Sequence, residues 1–112
     1  MLKSTSRLKK EKDFGKVLRS GKKIRDEFLA IRFVAGSGEK TRFGVSVSKR
    51  VSKKATKRNK IRRQELALCA ALLPRIKGKL DIVIFALPGL EKKSFPEIKE
   101  MTEKIFLKAQ IL

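Results

Sequence analysis

Apolar side chains recur along this chain with two different periods, and the period changes mark its elements. Phe14, Val17 and Leu18 stand at i, i+3 and i+4, which predicts a helix over Lys9–Arg19 with Gly21 as its stop. Lys22–Arg25 is a candidate short strand, and Phe28–Ala35 reads as a longer one. Gly36–Glu39 is a turn. In Arg42–Ser48 the alternation is strict: Phe43, Val45 and Val47 point one way, and Gly44, Ser46 and Ser48 the other. One side of that strand belongs to a core. The other is paved with small groups and leaves room for something to lie on it.

Lys53–Leu73 reads as a second helix, stopped by Pro74. Ile61, Leu68 and Leu72 give it a packing side. Arg58 and Arg62, with Asn59 and Arg63 beside them, share the opposite side, where the first two repel unless an anion lies between them. Leu80–Leu87 is a nearly unbroken apolar run, the pattern of a strand covered on both faces, and Pro88-Gly89 ends it. Ser94-Phe95-Pro96-Glu97 has the form of a capping box, and Ile98, Met101, Ile105 and Ala109 continue it as an apolar stripe. Strands interleaved with helices in so short a chain predict an α+β domain over residues 1–112, a single sheet with helices packed on it.

Charge adds a partner class. The 112 residues include 30 Lys or Arg and 11 Asp or Glu, a net of +19. Residues 1–63 hold 22 of the basic and 5 of the acidic side chains. The densest stretch, Ser46–Arg63, has nine cations (Lys49, Arg50, Lys53, Lys54, Lys57, Arg58, Lys60, Arg62 and Arg63) and no carboxylate. Solubility does not need such a block. A polyanion explains it, because each neutralised phosphate releases a counterion. Nucleic acid therefore leads. An anionic membrane is weaker, for no helix pairs a Lys face with a broad bulky apolar one. No apolar run reaches the roughly 20 residues of a membrane span, and the basic N-terminus is not followed by the apolar stretch of a secretory signal.

Composition also narrows the chemistry. The chain has no His and one Cys, Cys69, which excludes imidazole acid–base work, thiolate zinc sites and an internal disulfide. Asp13, Asp26, Glu27 and Asp81 show no paired catalytic spacing. A helix-turn-helix needs a helix just before the basic one, and strands occupy that place. What remains is a compact, very basic domain that binds nucleic acid, and a ribosomal or other structural RNA-binding protein would share its charge and fold. Phe14 suits a core or a cleft wall equally well, and Ser46 and Ser48 suit a solvated sheet face or a binding floor.

Gly44-Val45-Ser46-Val47-Ser48-Lys49-Arg50, followed by Arg58-Asn59-Lys60-Ile61-Arg62-Arg63 at a helix start, resembles the bacterial ribonuclease P protein component. Arg7–Phe14 is similar to that family's opening segment, and Leu80–Ala86 to its last strand. The resemblance spans nearly the whole chain in the right order. It implies a four-stranded sheet with three helices in αβββαβα order and a left-handed βαβ crossover. It implies a noncatalytic subunit that helps a catalytic RNA, working with bound magnesium, to remove the 5′ leader of precursor tRNA in the cytoplasm. The chain itself is expected to carry no cofactor, to need no other protein and to touch no membrane. By the resemblance, Lys49, Arg50, Arg58, Asn59, Lys60, Arg62 and Arg63 face the RNA subunit. Phe14, Leu18, Ile31, Ser46 and Ser48 line a cleft for the leader, with Leu18 and Ile31 standing where other members often have aromatic rings.

Overall fold

The chain runs through α1 (Glu11–Ser20), β1 (Lys22–Arg25), β2 (Leu29–Ala35), β3 (Arg42–Val47), α2 (Ala55–Leu72), β4 (Leu80–Ala86) and α3 (Phe95–Lys108) in a computed structural model describing residues 3–36, 38 and 40–112. This is the αβββαβα order of an α+β protein. The elements lie within two residues of their expected bounds. Of the turn expected at Gly36–Glu39, Ser37 and Glu39 lie outside the described residues. The strands form one mixed sheet ordered β1-β2-β4-β3, in which β4 pairs antiparallel with β2 and parallel with β3. The last strand in sequence is thus central in space, which is why its apolar run is unbroken.

Parity sorts the side chains between the two faces. Leu29, Ile31, Phe43, Val47, Ile82, Ile84 and Ala86 point to the face that α2 and α3 cover, where they meet Ile61, Leu68 and Leu72 of α2 and Ile98, Ile105 and Phe106 of α3. The Phe43 and Phe106 rings stack with centroids 6.5 Å apart. The capping box of α3 is present: Glu97 N–H donates to Ser94 Oγ and Ser94 N–H to Glu97 Oε1, which holds the Glu97 carboxyl below its usual range. Thr102 and Phe106 complete the buried side of α3 that Ile98 and Ile105 begin.

This core also holds a charge-capable group that hydrophobic spacing does not reveal. Glu65 of α2 is fully buried, and Thr102 Oγ1 of α3 lies 3.0 and 3.2 Å from its two oxygens. Burial pushes the Glu65 carboxyl up to about 7, against the pull of the Thr102 hydroxyl. Burial, and then Glu65 itself, raises the Cys69 thiol well above its ordinary value, as befits a structural cysteine.

The other face is covered by α1 and by Leu8 of the segment before it. Val17 of α1 packs with Leu8 and Val83, joined by the half-buried Phe14, Val34 and Phe85. Gly44 makes this crossing possible: a Cβ there would lie 2.5 Å from the Phe14 ring. At the far end of the helix, Arg32 of β2 donates to the Leu18 carbonyl at 2.6 Å. Phe14 over β3, Val17 over β4 and Leu18 over β2 show that α1 lies across the strands, above the cross-strand row Gly44–Val83–Arg32.

Candidate nucleic-acid interface

Because α1 crosses the sheet, it leaves uncovered ground on either side. Toward the C-terminal ends of β3 and β4, the register aligns Arg25, Ala30, Phe85 and Ser46 in one row across all four strands. Its first three members belong to a trough of about 430 Å³, lined by Leu18, Lys23, Arg25, Ala30, Arg32, Phe85 and Leu87. Leu18 is 42% exposed, a large apolar side chain kept in view at the trough wall. The floor is apolar, with an aromatic ring at its centre, and three cations rim it. That combination suits a single nucleic-acid strand, whose bases rest on apolar surface while its phosphates meet the rim.

Four of the five cleft residues expected from the resemblance lie on or beside this face. Leu18 lines the trough. Ser46 extends the floor past Phe85 and is exposed, and Ser48 is exposed just beyond the end of β3. The Phe14 ring rests on Gly44 and shares in the small core under α1, so it buttresses the wall. Ile31 is a correction. It has no exposure and packs into the α2/α3 core on the opposite face. Its parity with Leu29 and Phe33 decides this, and the same alternation gives Ala30 and Arg32 to the trough. Lys23, Arg25, Ala30, Arg32, Phe85 and Leu87 were not anticipated. The alternation of β1, β2 and β4 groups them on one face of the sheet, but it does not say which helices that face meets.

The basic motif begins at the same end of the sheet. Lys49 and Arg50 are exposed in the turn after β3, and Val51 anchors that turn in the core. Lys53, Lys54, Lys57, Asn59, Lys60 and Arg63 are exposed around the start of α2, whose first turn contains no acidic residue. The helix therefore presents several cations and its own positive dipole end together, an arrangement that phosphate stabilises. Arg58 and Arg62 depart from expectation. Arg58 Nη1 donates to the carbonyls of Ser52 and Lys53, each at 2.9 Å, which ties the loop to the helix. Arg62 Nη1 donates to Asn59 Oδ1. The two guanidinium groups have separate partners, so no anion is needed between them.

Asp81 at the start of β4 has a structural partner. Arg42 grips it with two hydrogen bonds, at 2.8 and 3.0 Å, and reaches Asp13 of α1 at 3.1 Å. Asp81, first among these causes, strengthens the hold of Arg42 on its proton. Among the described residues, no three His, Cys, Asp or Glu side chains are grouped as metal ligands. No helix among them is long and apolar enough to cross a membrane.

Comparisons with known proteins give this geometry a family. The family model described as Ribonuclease P matches residues 2–110. A ribonuclease P protein component from Synechocystis is 37% identical over 99% of this chain and 90% of its own length. One from Pseudanabaena is 34% identical over 100% and 97%. Among solved structures, a Staphylococcus aureus RNase P protein mutant with defective mRNA degradation activity superposes with TM-score 0.89 at 23% identity, covering 96% of this chain and 91% of that one. The RNase P protein of Thermotoga maritima gives 0.78 at 24%, over 88% and 94%. At such identities the structural likeness concerns the fold alone.

Proposed function

Since the chain belongs to the ribonuclease P protein family and is a subunit of that ribonucleoprotein endonuclease, we propose that its trough holds the single-stranded 5′ leader of precursor tRNA while the start of α2 rests on the RNA subunit. The observation that carries this reading is the row Arg25–Ala30–Phe85–Ser46, left open by the crossing of α1. An aromatic ring among small residues, rimmed by cations, accepts bases of any identity and tracks the backbone that joins them. No constellation for reading base edges accompanies it, so the leader is held with little regard to sequence, as a general processing factor requires.

The division of labour follows from the chemistry available. Asp13 of α1 and Asp81 of β4 are both engaged by Arg42 and make a poor donor set for a resident cation. Magnesium and the cleavage step belong in this reading to the RNA subunit. The protein contributes grip on the substrate and neutralises phosphate charge where leader and RNA subunit run close together. A ribosomal or purely structural role would leave the trough without a purpose.

The test is binding of precursor tRNAs with progressively longer leaders to the reconstituted particle. Affinity rises with leader length until the trough is full and then levels. In Phe85→Ser the rise is blunted by about 1–3 kcal/mol, the usual worth of one stacked base. Lys57→Gln/Lys60→Gln/Arg63→Gln instead weakens assembly with the RNA subunit and lowers its salt dependence. Affinity that ignores leader length in the unaltered particle would sink the proposal.

A further inference from the structure

The ground on the other side of α1 is a second cavity, of about 510 Å³, between that helix, Gly38 in the β2–β3 turn and the start of β3. Lys10, Lys12, Lys16 and Arg19 line its helical side, and Arg42 stands opposite. Among the described residues of its lining the one carboxylate, Asp13, is engaged by Arg42 at 3.1 Å, so its charge is already answered within the protein. Lys12, Lys16 and Arg19 are exposed and form no salt bridge with any described residue. They recur at i, i+4 and i+7, which spaces them along the helix by about 4.5–6 Å, comparable with successive phosphates on a strand.

The two cavities differ in what they offer. The trough has Phe85 and apolar neighbours for bases to rest on. The second groove has no aromatic residue among the described residues of its lining. A groove of cations without a stacking surface suits a backbone whose bases face elsewhere, which is how paired RNA presents itself. A helix about 10 Å thick separates the two cavities, so a leader lying in the trough does not also fill the groove.

We propose that Lys12, Lys16 and Arg19 form a second RNA site, which holds the phosphate backbone of a paired segment of the RNA subunit. The site rests on the partner reading above and is separate from both the leader trough and the start of α2. With it, α1 is gripped from both sides, by substrate on one and by the RNA subunit on the other. Assembly thereby fixes the wall of the trough before substrate arrives.

The experiment uses the full chain with Lys12→Gln, Lys16→Gln and Arg19→Gln combined, all at exposed positions. Binding is measured across a salt series to ribonuclease P RNA, to a single-stranded leader oligonucleotide and to mature tRNA. The expected result is a ten- to hundredfold loss of affinity for ribonuclease P RNA, with the slope of log K against log salt shallower by about 2. The oligonucleotide and mature tRNA should change by less than threefold. An unchanged affinity and slope for ribonuclease P RNA overturns the site, as does an equal loss on all three ligands, which reports only the general field. The α2 triple variant separates the two readings. If it loses ribonuclease P RNA while the α1 triple variant does not, the second groove is wrong and the proposed function stands. A circular-dichroism melt unchanged from the parent shows that the fold is intact.

Discussion

The two faces of the single sheet are built on different terms. One is dry: α2 and α3 close over Ile31, Phe43, Ile82 and Ile84, and the core there is continuous. The other carries one helix laid crosswise, a small core of Leu8, Val17 and Val83, and open ground at both ends. The same alternating strands serve both. The dry face supplies most of the stability, and the free surface of the other is thereby released for binding. A sheet covered equally on both sides would be firmer and would have nowhere to put a strand of RNA.

Removing Phe106 should separate the two faces most sharply. Its ring is fully buried and stacked on Phe43, so Phe106→Ala should cost about 3–5 kcal/mol in denaturant unfolding. Leader affinity, measured well below the lowered melting temperature, should stay near the parent value. A matching loss of both would mean that the faces do not act separately.

Glu65 offers a subtler probe of the dry face. Its carboxyl holds its proton up to about pH 7 in the folded chain, against an ordinary value of 4.5. Between those values the unfolded chain has released a proton that the folded chain keeps, so stability falls as pH rises through this window. The full effect, on the order of 3 kcal/mol, is present above pH 7 and absent below about 4.5. Glu65→Gln should remove most of that slope and raise the melting temperature at pH 8. A variant as pH-sensitive as the parent would exclude Glu65 as its source.

The smallest expected effect comes from the open face. Gly44→Ala drives a methyl group into the Phe14 ring and should cost about 1–3 kcal/mol, through a shifted α1. Leader binding should fall alongside, because the trough wall moves with the helix. Loss of stability with leader binding unchanged would detach the trough from the placement of α1.

Local patterns made much of this legible in advance. The strict alternation of Phe43–Ser48, the capping box at Ser94 and the apolar run at Leu80 each state their element without reference to the rest of the chain. What could not be read depends on meetings between distant residues. The resemblance puts Ile31 in the cleft; parity groups it with Leu29 and Phe33, but only the packing of α2 and α3 shows that this group is the core. Arg58 looked like a free cation until the turn before it brought the Ser52 and Lys53 carbonyls within its reach. Glu65 and Asp81 are ordinary charges in sequence. Thr102 and Arg42, 37 and 39 residues away, determine their roles. The trough itself is a gap, and only the crossing angle of α1 sets its bounds.

The central position of β4 bears on how the protein is born. A ribosome delivers β2 and β3 long before the strand that must lie between them. Until residue 86 has left the exit tunnel, β3 has no strand to pair with and the sheet cannot close. Over that interval the nascent chain is a cationic thread with β3 unpaired and one edge of β2 open, and the sheet closes in one late step.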